Sequence, residues 1–82
     1  MEEERIEKKL VEYIAQAIVE DADAVKVTVI EGEKSTIVEL RVAAKDMGKI
    51  IGQEGRIARS IRSILNAVSF KTGKRTVLEI LD

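Results

Sequence analysis

Eighty-two residues give room for one domain, and 45% hydrophobic beside 35% charged side chains suits an ordered chain with a single core. Histidine and cysteine are both absent, which excludes a disulfide framework, thiolate chemistry and the usual side-chain base at neutral pH. The net charge of −1 hides a split: residues 1–40 carry five basic and eleven acidic side chains, residues 41–82 nine and four, and a basic half of this kind suits an anionic partner.

In chain order, the first element is a helix over about residues 4–20. Ile6, Leu10, Tyr13, Ile14, Ala17 and Ile18 fall at helical spacing and predict one buried stripe. Glu2, Glu3, Glu4 and Glu7 crowd its first turn, where the positive end of the helix dipole favours acids. The same run of acids after Met1 is the reverse of a basic signal-peptide start. No apolar stretch is long enough to span a membrane, so a soluble cytoplasmic protein is expected. The helix should stop near Asp21–Asp23.

Val25, Val27 and Val29 then alternate with Lys26 and Thr28, the period of a half-buried strand. The polar segment 31–35 contains Gly32 and reads as a hairpin loop. A second strand follows over about 36–42, with Val38, Leu40 and Val42 inward and Glu39 and Arg41 outward. Residues 44–52 predict a short helix with Met47, Ile50 and Ile51 on its apolar side, and Gly48 reads as a site of close helix packing.

After a turn at Gly52–Gly55, a second long helix runs over about 56–71, with Ile57, Ile61, Ile64, Leu65 and Val68 as its core face and Gly73 as its stop signal. The last strand is about 76–81, with Leu78 and Ile80 opposite Glu79. The order is α-β-β-α-α-β, a single α+β domain over 1–82, with the N-terminal helix ahead of a unit at about 25–82. Two helices separate the last strand from the one before it, so it should pair parallel, through a right-handed crossover. The expected architecture is a three-stranded mixed sheet with three helices on one face.

The turn carries the chemistry. Two glycines at 52 and 55 let the backbone bend sharply and approach a ligand with no Cβ in the way. A helix starts there, so its unpaired N–H groups and dipole point out of the turn at an anion. Gly48, Gly52 and Gly55 do not have the spacing of a dinucleotide-binding loop, and no Gly-Lys-Ser/Thr follows for a nucleoside-triphosphate loop. Arg56, Arg59 and Arg62 share the polar side of the following helix, and Lys49 precedes the turn. These four are the candidate phosphate contacts.

The run from Met47 through Gly52-Gln53-Glu54-Gly55 to Leu65 resembles the centre of a KH domain, and the ending from Gly73 to Asp82 is similar as well. Over essentially the whole chain the sequence resembles the small bacterial single-KH proteins of the KhpA type. The resemblance implies the type II KH fold and single-stranded RNA binding. It also implies a role as RNA chaperone or post-transcriptional regulator linked to cell-envelope homeostasis. The partner it implies is a second copy or a larger KH protein of the Jag/EloR type. Carried over residue by residue, Gly52, Gln53, Glu54 and Gly55 map onto the loop that grips the nucleic-acid backbone. Ile51, Ala58, Ile61 and the strand residues near Val38–Leu40 map onto an aliphatic groove.

Such a domain clamps about four nucleotides without an aromatic platform, which suits a chain whose aromatic residues are Tyr13, on the predicted core stripe, and Phe70. Two features depart from the family pattern: Gln53-Glu54 stands where a basic residue is usual, and Ala58 where a larger aliphatic one is. Two other readings stay open on the residues: a helix-turn-helix DNA binder with the three arginines in the major groove, and an interaction module whose loop no longer holds RNA. Catalytic residues, metal ligands and cofactors are not expected, because no base, nucleophile or ligand set has a recognisable spacing.

Overall fold

The computed structural model describes residues 5–82; the acids predicted to open the first helix at Glu2, Glu3 and Glu4 lie outside that range. Helix α1 is Ile6–Ile18, strand β1 Lys26–Glu31 and strand β2 Ser35–Arg41. Helix α2 is Met47–Ile51, helix α3 Arg56–Thr72 and strand β3 Arg75–Leu81. Short 3₁₀ turns at 22–24, 44–46 and 53–55 lead into β1, α2 and α3.

The sheet order is β1-β2-β3, with β1 antiparallel to β2 and β3 parallel to it. The register places Val27 beside Leu40 and Val29 beside Val38, and then Val38 beside Leu78 and Leu40 beside Ile80. Every one of these side chains therefore stands on the same face, as the period-two pattern requires. That face carries the helices, and the opposite face, with Thr28, Ile30, Arg41, Arg75 and Glu79, is open to solvent. At 17 Å in its shortest dimension the molecule has room for one helical layer on the sheet and no second.

The core joins Val11 and Ala15 of α1, Val27, Val38, Leu40 and Leu78 of the sheet, Val42, Ile50 of α2, and Ile61 and Leu65 of α3. It is aliphatic throughout, and each fully buried leucine or isoleucine contributes roughly 1.5–3 kcal/mol. The buried stripe of α1 differs in part from the predicted one: Ile14 and Ile18 pack against the core as expected. Glu7, Val11 and Ala15 are fully buried, whereas Tyr13 is 77% and Ile6 45% exposed, and Ala17 also faces solvent. The helix is turned by about one residue, which seats its small side chains against the sheet. The buried Glu7 is tolerated because Arg5 reaches both carboxylate oxygens at 3.2 Å.

In α3, Ile57, Ile61 and Leu65 pack inward as expected, Val68 is half-buried, and Ile64 is 43% exposed and does not belong to the core face. Gly48 is likewise no packing site: a Cβ there would meet nothing within 4 Å. Gly73 ends α3, its N–H donating to the Ser69 carbonyl at 2.8 Å.

Candidate nucleic-acid interface

The turn between α2 and α3 is built from three left-handed residues: Gly52 (φ 78°), Glu54 (φ 57°) and Gly55 (φ 76°). At Gly52 two constraints coincide. The dihedral suits only glycine, and a Cβ would fall 2.8 Å from the Ile57 backbone nitrogen and against the Ile57 side chain. Ile57 thus locks the turn onto the first residues of α3. At Gly55 the only close atom to an added Cβ is Nη1 of Arg59, at 3.2 Å. The Arg59 side chain therefore folds back over the turn. No side chain caps α3; at its start the N–H groups of Gly55 and Arg56 donate to the carbonyls of Gly52, at 3.1 Å, and of Gln53.

Glu54 pairs with Arg56 at 3.3 Å, both side chains well exposed. An incoming phosphate must compete with this carboxylate for Arg56. Among the described residues Arg59 and Arg62 enter no ion pair. Lys49 is turned the other way, toward Glu20 at 3.8 Å and Asp46 at 3.7 Å. Its charge is shared between two acids.

The apolar candidates divide by exposure. Ile51, beside the loop, is 39% exposed and is available to a ligand. Ala58 and Ile61 are buried and form the floor beneath the surface of α3. Val38 and Leu40 have no exposed surface at all, so the strand segment proposed for the groove serves the core instead. Glu39 between them faces the other side of the sheet.

Sequence reading missed Asp46. Its carboxylate is fully buried and accepts the backbone N–H of Glu20 at 3.2 Å on one oxygen and that of Asp21 at 3.1 Å on the other. It fastens the end of α1 to the start of α2, the helix that delivers the glycine turn. Burial opposes its charge, but the two N–H donors and the nearby Lys49 and Lys45 outweigh this and hold the carboxyl below its ordinary range. A lone aspartate after Lys45 carries no local signal of a partner 25 or 26 residues away.

A helical pair joined by a double-glycine turn and laid on a mixed three-stranded sheet in the order α-β-β-α-α-β defines a KH domain of type II. The sequence profile described as KhpA/KhpB, KH domain, matches residues 8–80. The RNA-binding protein KhpA of Borreliella burgdorferi is 56% identical over 82 residues, which span 100% of both chains. That of Aquifex aeolicus is 53% identical over 75 residues, 92% of this chain and 95% of the relative. That of Treponema pallidum is 46% identical over 77 residues, 94% and 96% of the two chains. The chain belongs to the KhpA/KhpB family of KH domains. No solved structure gives a significant match.

Proposed function

We propose that this chain is a single KH unit over residues 1–82 that binds single-stranded RNA at the Gly52–Gly55 turn. The observation that carries the reading is the turn itself. Three left-handed positions within four residues open onto the start of α3, which no side chain caps, and Arg59 lies over them. The positive end of the α3 dipole and exposed cations then face one place, which is what a sugar-phosphate backbone needs. The similar proteins carry RNA-binding in their names.

Gly52, Gln53, Glu54 and Gly55 hold the backbone, Arg56, Arg59 and Arg62 neutralise phosphates, and Ile51 with the floor at Ala58 meets the bases. Lys49 contributes at the edge, against the pull of Glu20 and Asp46. The process is binding and not catalysis, since the sequence offers neither histidine nor cysteine. By family resemblance the setting is the cytoplasm, and the role is that of an RNA chaperone or post-transcriptional regulator tied to the cell envelope. It acts with a second copy or a larger Jag/EloR-type KH protein, and the outward row Ile6, Leu10, Tyr13 and Ala17 of α1 supports such association.

One feature favours a second reading, an interaction module with weak RNA binding: the Glu54–Arg56 pair occupies the phosphate approach. A salt titration with a short single-stranded RNA separates the two. Two to three phosphate contacts give a log–log slope of about −1.4 to −2.1. A flat response, or equal affinity for duplex DNA, rejects the single-strand clamp.

A further inference from the structure

We infer that the uncovered face of the sheet docks an amphipathic helix of another protein, lying across the strands. Its apolar stripe rests on Ile30, Ile37 and Val77, and two of its cations stand over Glu39 and Glu79. This surface is independent of RNA binding, because it lies across the sheet from α2, α3 and the glycine turn.

The register sets the residues of this face in rows that cross the three strands. Ile30 stands beside Ile37, and Ile37 beside Val77. Two positions along, Thr28, Glu39 and Glu79 form the next row, and Lys26, Arg41 and Leu81 the one after. Each row keeps to one face because side chains alternate along a strand. Ile30 is 46% exposed, and no element among the described residues lies over Ile30, Ile37 or Val77. Glu39 and Glu79 are register partners on β2 and β3, with backbones about 4.8 Å apart. Like charges side by side on neighbouring strands destabilise a sheet. Among the described residues neither acid enters an ion pair. Arg41, two positions from Glu39 on the same face, donates instead to the Asp82 carbonyl at 3.0 Å.

Charge and spacing select the occupant. Two carboxylates at the centre of the face repel phosphates, so RNA does not fit. A second copy fits no better. Laid face to face about a two-fold axis, it sets glutamates on glutamates, sets them on the isoleucines, or leaves the apolar row uncovered. A foreign helix meets both rows at once. Ile30, Ile37 and Val77 span two strand spacings, about 9.6 Å. Apolar side chains at i, i+4 and i+7 of a helix span about 10.5 Å, one for each strand. Lysines or arginines one turn apart at the border of that stripe are about 5.4 Å apart along the axis, close to the spacing of Glu39 and Glu79. Each acid then gains the counter-ion that it lacks among the described residues.

The probe is a synthetic helix of about four turns, with leucines at i, i+4 and i+7 and two lysines one turn apart at their border. Its twin carries glutamates in place of the lysines. Both are titrated into the isotope-labelled full chain while backbone amide resonances are followed. The lysine helix should shift the amides of Ile30, Ile37, Glu39, Val77 and Glu79, and the twin should bind about 10-fold or more weakly. Glu39→Lys with Glu79→Lys should reverse that preference. Glu39→Gln with Glu79→Gln, which keeps the shape, should erase it, and thermal melts establish that each variant is folded. Equal binding of the two helices to the wild type overturns the inference, and so do shifts that map to α1 or α3. A change in the five amides when the chain alone is diluted would make the face a contact between copies and overturns it as well. A short single-stranded RNA should leave the five amides unmoved; RNA that binds nowhere rejects the glycine turn and keeps this surface. For the natural partner, a benzophenone amino acid in place of Thr28, in cells that make the protein, should tag a segment with the same apolar and basic spacing. No tagged protein, or a tagged segment without that spacing, overturns the inference.

Discussion

At the scale of single residues, the three glycines around the loop are predicted to behave differently although they lie within eight positions of one another. Gly52→Ala meets both an unfavourable dihedral and the Ile57 backbone, which is too rigid to yield. The variant should lose at least about 2–3 kcal/mol, a fall in melting temperature of roughly 8 °C or more for a domain this size. Gly55→Ala meets only the mobile end of Arg59, so the left-handed strain of about 1–2 kcal/mol is the main cost. Gly48→Ala enters open space within a helix and should gain roughly 0.4–1 kcal/mol. Thermal melts of the three variants test this order, and a destabilised Gly48→Ala would restore the packing role read from the sequence. Glu54 makes the complementary case for binding. Its replacement by lysine removes the carboxylate that holds Arg56 and adds a cation at the same place. RNA affinity should rise at low salt, and the gain should shrink as salt screens both charges. Unchanged affinity at low salt would mean that the backbone is held elsewhere.

At the scale of elements, what was legible followed from how few ways an element can be turned. A strand has two faces, so the alternation at Val27, Val29, Val38, Leu40 and Val42 told which side is buried, while the register came from the structure. A helix has a continuous choice. Helix α1 offers two neighbouring apolar rows, and size favoured the one with Ile6 and Tyr13. The fold uses the row with Glu7, Val11 and Ala15, because Arg5 neutralises Glu7 and also pairs with Glu31 of β1. Nothing local to the helix announces a buried acid whose partner, Arg5, is itself held by Glu31, 26 residues further on. The glycine turn was legible from spacing, but the left-handed Glu54 within it and the Asp46 clasp behind it were not, since both depend on contacts outside the motif. The arginine side of α3 was legible, and it yields a direct test. Arg59→Ala with Arg62→Ala removes two exposed cations that have no ion-pair partner among the described residues. Stability should change by less than about 0.5 kcal/mol, while RNA affinity falls and the salt slope flattens by about 1.4. An early melt would make these side chains structural.

At the scale of the whole molecule, three carboxylates tie together parts that the sheet alone does not join. Arg5 holds Glu7 and Glu31, linking the start of α1 to the end of β1, and Lys74 donates to Glu31 at 2.7 Å and to the Gly32 carbonyl at 2.9 Å, adding the turn before β3. Asp46 joins α1 to α2 at the other end. Lys74 and Arg5 hold Glu31 below the ordinary carboxylate range; at Glu7 burial pulls upward, but the Arg5 bonds prevail and the result is again a lowered value. A carboxyl with a lower pKa folded than unfolded stabilises the fold above its unfolded value, and that contribution is lost as pH falls through the folded one. Melting temperature should therefore be level between about pH 6 and 8, and RNA affinity with it, since no histidine titrates there. Below about pH 4–5 stability should drop steadily as the three acids take up protons. Asp46→Asn isolates one of them. Both of its oxygens accept a backbone N–H, and an amide has one acceptor only, so its NH₂ would face a second donor. The variant should melt earlier at pH 7 and lose less on acidification than the wild type. Melts from about pH 3 to 8 read both effects. A curve that runs parallel to the wild type across that range would show that Asp46 does not clasp the two helices through its charge.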